Sequence, residues 1–173
     1  MADPHGQATF YHYRLIKKIQ ISKSLLILYL SLPVLAAAAG MFTVSPYIPL
    51  YMLIAFPLML WIQYVIGHTV LILLGAGYRK RWRFRLKLPW LGYIPDQHVS
   101  LRVFTLVQFY TCWVGIVLSA IMAFWLPMPL AIALAFWHLW LLLPRGYTML
   151  RLTGQRKEGM LKMNEQDISY YMQ

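Results

Sequence analysis

The chain has 173 residues, 60% of them apolar, with a mean hydropathy of +0.56 and a formal net charge of +11. That is too apolar for an ordinary water-soluble domain of this length. Its cations flank apolar runs, so they point to anionic lipid and away from nucleic acid as a partner.

A basic segment comes first, residues 1–23, with Arg14, Lys17, Lys18 and Lys23. The first apolar run, residues 24–43, follows it. Ala36 to Ala39 mimic a small-residue cleavage site, but the run continues through Gly40, Met41 and Phe42, so an uncleaved span is expected. Ala36 and Gly40 form a small-xxx-small pair on it. An uncharged turn at Ser45-Pro46-Tyr47 leads to the second run, residues 49–77, which contains Pro57, Gln63 and His68.

The loop over residues 78–102 is strongly basic. Within it Arg81, Arg83, Arg85 and Lys87 alternate with Trp82, Phe84, Leu86 and Leu88. Strict period-two alternation predicts an amphipathic strand over 81–88. With Arg79 and Lys80, this segment is expected to lie on anionic lipid or to offer an edge to a partner's extended segment.

The third run, residues 103–126, holds the lone cysteine. That cysteine, Cys112, excludes a disulfide framework and a cysteine-based metal cluster. Thr105, Gln108, Cys112, Gly115 and Ser119 recur at spacings of three and four, which predicts a helix-packing stripe facing the bundle. An uncharged turn, Pro127-Met128-Pro129, opens the fourth run, residues 129–150, with a facing stripe of Ala131, Ala135, His138 and Leu142. Arg145, near its end, is expected to snorkel to the interface. The tail, residues 151–173, is expected either to be partly ordered, with a short strand at 160–163 pairing with 81–88 and Ile168, Tyr170, Tyr171 and Met172 docking on it or on a partner, or to be a frayed, solvated end.

Each run is long enough to cross a hydrocarbon core of about 30 Å. Of the sixteen Lys and Arg, fifteen lie in the first segment, the middle loop and the last segment, Arg145 lies near the C-terminal end of the fourth run, and the two short turns carry none. This predicts four spans in two helical hairpins, with both ends and the middle loop cytoplasmic. The expected fold is therefore an all-α membrane protein with a short amphipathic β segment in its loop. No Asp, Glu or Lys lies inside a run, which argues against ion-coupled transport and hydrolytic metal chemistry. His68 and His138 are each expected to be neutral and hydrogen-bonded to a neighbouring helix.

The order of two spans, a strand-rich loop, two further spans and a tail ending in Tyr170-Tyr171 resembles a family of small bacterial membrane proteins, the zincin-type (HExxH) peptidases. The resemblance implies a metal motif at the inner end of the second span. Only His68 matches one of its ligands. Tyr64 and Val65 stand where the other His and the catalytic Glu belong, and Leu143-Pro144-Arg145-Gly146 stands where a later acid belongs. The resemblance thus implies a relative without catalytic residues, bound metal or cofactor. Read from the residues alone, the chain is a non-enzymatic scaffold or accessory subunit binding another membrane protein, or itself, in the bilayer or at its inner face. A subunit of a small oligomeric transporter or channel is the further alternative.

Overall fold

The computed structural model describes residues 14–156, 158–164 and 167–172; the first thirteen residues of the basic N-terminal segment and Lys157 of the tail lie outside the described residues. Four helices are long and apolar enough to cross a membrane: α1 (Lys23–Thr43), α2 (Ile48–Leu74), α4 (Leu101–Met122) and α5 (Met128–Arg151). A one-turn helix, α3 (Ala76–Arg79), follows α2. At 1.5 Å per residue the four long helices run from about 31 to about 40 Å.

Local chemistry sets their ends. Ser22 caps α1, its hydroxyl accepting from Leu25 N at 3.3 Å, and Ser100 caps α4 by accepting from Val103 N at 3.4 Å. Pro49 and Pro129 occupy first-turn positions of α2 and α5, where a missing N–H costs nothing. Gly75 closes α2 at φ 120°, a backbone conformation that side chains disfavour.

Prolines also sit inside three spans, at Pro33, Pro57 and Pro144. Pro33 cannot donate to the carbonyl of Tyr29, four residues earlier. The indole N–H of Trp140 on α5 donates to that carbonyl instead, at 2.9 Å. Trp137 on α5 likewise donates to the Met52 carbonyl of α2 at 2.8 Å. Aromatic donors thus tie α5 to both α1 and α2. The expected pairing into two hairpins is not what dominates the packing: α2 packs more extensively on α5 and α4 than on α1.

The β structure is larger than the sequence suggests. β1 (Arg14–Gln20), β4 (Val99–Ser100), β5 (Met160–Met163) and β6 (Asp167–Met172) form one antiparallel sheet in the order β1-β6-β5-β4. Because β4 runs straight into α4, the sheet sits at one end of the bundle. There Ile19, Val99, Leu161, Ile168 and Tyr170 are buried with Leu101 and Phe104 of α4 in one apolar cluster. Of the two expectations for the tail, the ordered one holds: strands cover Met160–Met163 and Asp167–Met172.

β2 (Trp82–Arg85) and β3 (Gly92–Pro95) form a separate hairpin. Three expectations change here. The strand covers 82–85 and not 81–88; Leu86 to Leu88 belong to the turn, which includes a cis Leu88–Pro89 bond. β5 exists where expected but pairs with β4 on one edge and β6 on the other, which leaves it no edge for the 81–88 segment, whose β2 pairs with β3. The apolar face of β2 packs only in part on protein: Trp82 is buried against Tyr93 and Phe104, while Phe84 meets the ring of Tyr64 on α2 edge-on and stays 45% exposed.

The hairpin folds back along α2 into the bundle. Tyr93 lies against Gly67, and a methyl group placed on Gly92 would sit 3.7 Å from Leu60 Cδ2. Leu60 is fourteen residues from Leu74, about 21 Å along the helix. Leu91, in the turn, is buried in the apolar cluster of the spans with Tyr29, Leu60 and Trp140. Non-helical backbone at that depth is tolerated only inside protein, with its polar groups satisfied.

Candidate functional site

Two polar clusters occupy the interior of the spans. In the first, His138 of α5 bridges α2 and α4. Gln63 Nε2 lies 3.2 Å from His138 Nδ1 and donates to the His138 carbonyl at 3.3 Å, which fixes the amide orientation. Nδ1 therefore accepts, and Nε2–H donates to the Cys112 carbonyl at 3.2 Å. This tautomer is a neutral imidazole held between two helices. A Cβ on Gly115 would overlap the His138 ring, so a glycine is required where α4 passes it.

The second cluster centres on Arg145, which is 4% exposed. The expectation of a snorkelling arginine is corrected: the side chain turns inward. Its Nη2 donates to the Leu91 carbonyl at 2.8 Å and its Nη1 to Gln108 Oε1 at 3.4 Å. The cause is the hairpin. Its turn carries a backbone carbonyl into the bundle, and a guanidinium can reach and satisfy it. Gly92, at φ 98°, leaves room for Nη2, which a Cβ there would meet at 2.6 Å. The buried hydroxyl of Tyr29 on α1 has no hydrogen-bond partner. Gln108 Nε2 is likewise buried without one.

The expected stripe on α4 divides between these clusters. Gln108 serves Arg145, while Cys112, through its carbonyl, and Gly115 face His138. Ser119 lines an apolar groove of about 520 Å³ between α4 and α5, with its hydroxyl buried and unpartnered. Thr105 is half-buried, and Thr111, which the spacing did not select, is buried.

Of the expected basic surface, Arg79, Lys80, Arg81 and Arg83 are exposed and Lys87 is exposed in the hairpin turn. Arg85 is only partly exposed and pairs with Asp96, which also meets Arg83 Nε at 3.4 Å. Trp82 is buried and does not contribute to the surface. Arg81 and Lys162 border a cavity of about 410 Å³ with Asp96 and His98. Burial, then the Lys162 and Arg81 cations, hold the His98 imidazole below its ordinary range.

His68 stands apart from both interior clusters. Its ring lies 5.4 Å from that of Tyr64 and 6.1 Å from that of Tyr93, and its Nδ1 is buried without a hydrogen-bond partner, contrary to expectation. Among the described residues no group of three or more His, Cys, Asp or Glu is placed to hold a metal ion.

On the outer face of α4, Phe109, Tyr110 and Trp113 form an exposed aromatic cluster, with Phe109 6.0 Å from Tyr110 and 6.3 Å from Trp113. Tyr110 is 45% exposed and Trp113 57%. Both sit at the middle of a 22-residue helix. No protein-family model matches the chain, and no curated protein or solved structure does either.

Proposed function

We propose that the chain is a non-enzymatic integral membrane scaffold or accessory subunit that binds another membrane protein within the bilayer. The observation that carries this reading is the exposed Phe109-Tyr110-Trp113 cluster at mid-span. Tyr and Trp favour the ends of spans, where their polar atoms meet water or headgroups. At the centre of α4 acyl chains offer no acceptor for a hydroxyl or an indole N–H. A partner helix supplies both the acceptor and the apolar contact.

In this reading the sheet-bearing end faces the cytoplasm, because the basic residues cluster there beside anionic inner-leaflet lipid. The membrane is a bacterial cytoplasmic membrane. An impermeant thiol reagent added outside intact cells then labels Ser45→Cys and spares Gln97→Cys; the reverse pattern overturns the orientation.

The binding face is tested by affinity purification in mild detergent. Tyr110→Phe combined with Trp113→Leu is expected to reduce a stoichiometric co-purifying membrane protein by about tenfold. That corresponds to about 1.4 kcal/mol. Phe42→Leu, at the far end of α1, should leave it unchanged. Equal recovery from all three proteins would refute the assignment.

A further inference from the structure

Between the hairpin and the sheet, a cavity of about 410 Å³ opens among Arg81, Asp96, Gln97, His98, Met160 and Lys162. Three parts of the chain build it. Arg81 precedes β2, residues 96–98 join β3 to β4, and Met160 and Lys162 lie on β5. On that strand Leu161 and Met163 are buried in the core, so a period of two turns Met160 and Lys162 to the opposite face. The Arg81 carbonyl accepts from the amides of Asp96 at 2.8 Å and Gln97 at 3.3 Å. The Arg81 side chain is held as well, its Nη1 donating to the His98 carbonyl at 3.1 Å.

The charges around this cavity do not balance. Asp96 supplies its carboxylate, and both oxygens are already engaged, Oδ1 by Arg85 and Oδ2 by Arg83 at 3.4 Å. The salt bridges among the described residues include neither Arg81 nor Lys162. Two lining cations thus stand without a counter-charge in one cavity. The His98 imidazole between them registers this: after burial, the Lys162 and Arg81 cations disfavour its protonated form.

We propose that the cavity binds a phosphate group. A tetrahedral anion presents oxygens in several directions, and the donors here come from β5, the approach to β2 and the β3–β4 connection. Arg and Lys both suit phosphate, the one through its planar fork and the other as a point charge. A carboxylate offers only two coplanar oxygens and a single charge. The level fits a lipid headgroup as well as a soluble phosphate, since His98 lies two residues before Ser100, which caps α4 where the span begins. The chemistry that recognises either source is the same.

The test uses the full chain in dodecyl maltoside, a detergent without phosphate. The His98 imidazole is followed by NMR and assigned by the loss of its signal in His98→Asn. One arm adds inorganic phosphate; the other adds dioleoylphosphatidic acid as mixed micelles. The expected result is a saturable movement of the His98 signals with a rise in the imidazole pKa, because a bound anion favours the protonated ring. A response to phosphatidic acid alone assigns the site to a lipid headgroup, and a response to inorganic phosphate assigns it to the free group; both support the proposal. Lys162→Gln should weaken binding about tenfold and Lys162→Arg should restore it. Met160→Glu, which adds a carboxylate to the wall, should abolish binding and covers the case in which the Lys162 variants fail to fold. Lys23→Gln, which removes an exposed cation outside the cavity, should change nothing. Absence of a saturable response in both arms, an equal response to acetate, equal weakening in Lys23→Gln, or undiminished binding in Met160→Glu would overturn the proposal.

Discussion

Gly115→Leu is expected to destabilise the bundle by about 3 kcal/mol, the upper part of the usual overpacking range. Even a Cβ at this position overlaps the His138 imidazole. The ring cannot retreat without cost, because it is hydrogen-bonded to Gln63 on one side and to the Cys112 carbonyl on the other. Moving it forfeits one or both bonds and leaves buried polar atoms unpaired, at about 1–3 kcal/mol for each. Val117→Leu, on the exposed face of the same helix, should change stability by less than about 0.5 kcal/mol. Unfolding in detergent monitored by tryptophan fluorescence compares the two. Equal tolerance would show that α4 does not pack through this face.

Arg145→Leu is expected to act on the hairpin more than on the bundle. Two effects compete. Removing a buried, uncompensated cation relieves its desolvation cost, and an apolar side chain of similar volume is often tolerated at such a position. Against that, the Leu91 carbonyl loses its donor, which costs about 1–3 kcal/mol. The first effect acts on the whole bundle and the second on the turn that carries Leu91. Global unfolding should therefore change little, while the hairpin opens more readily. Amide exchange over residues 92–94 is expected to accelerate about tenfold or more, as a loss of about 1.4 kcal/mol implies. Arg145→Lys should accelerate it less, since an ammonium still donates to the carbonyl but cannot also reach Gln108 in the same fork. Unchanged exchange in Arg145→Leu would show that the arginine does not hold the turn.

Much of this architecture was legible from the residues. The four apolar runs became four helices with bounds shifted by a few residues, because length and apolarity suffice to mark a span. The inward placing of Gln108, Gly115 and His138 followed from helical spacing. Three features did not show. β1 reads as a basic segment, since its alternation is hidden by Arg14, Lys17 and Lys18, and its partner β6 lies at the opposite end of the chain. The 81–88 alternation marked a strand but not its direction. The same pattern serves a strand lying on lipid and one folded against the helices, and what decides is contact of Phe84 with Tyr64 and of Trp82 with Phe104. Arg145 was misplaced because a lone arginine near a span end ordinarily reaches for water. Its actual partner is a backbone carbonyl, which no side-chain pattern reveals.

Whether the middle of α4 faces a partner protein or lipid is decided by crosslinking in intact membranes. A photoreactive phenylalanine analogue placed at Trp113 is irradiated beside the same analogue at Ile27, an exposed position on α1. A discrete protein adduct of defined mass is expected from position 113 and only lipid adducts from position 27. Lipid adducts alone from both positions would contradict it.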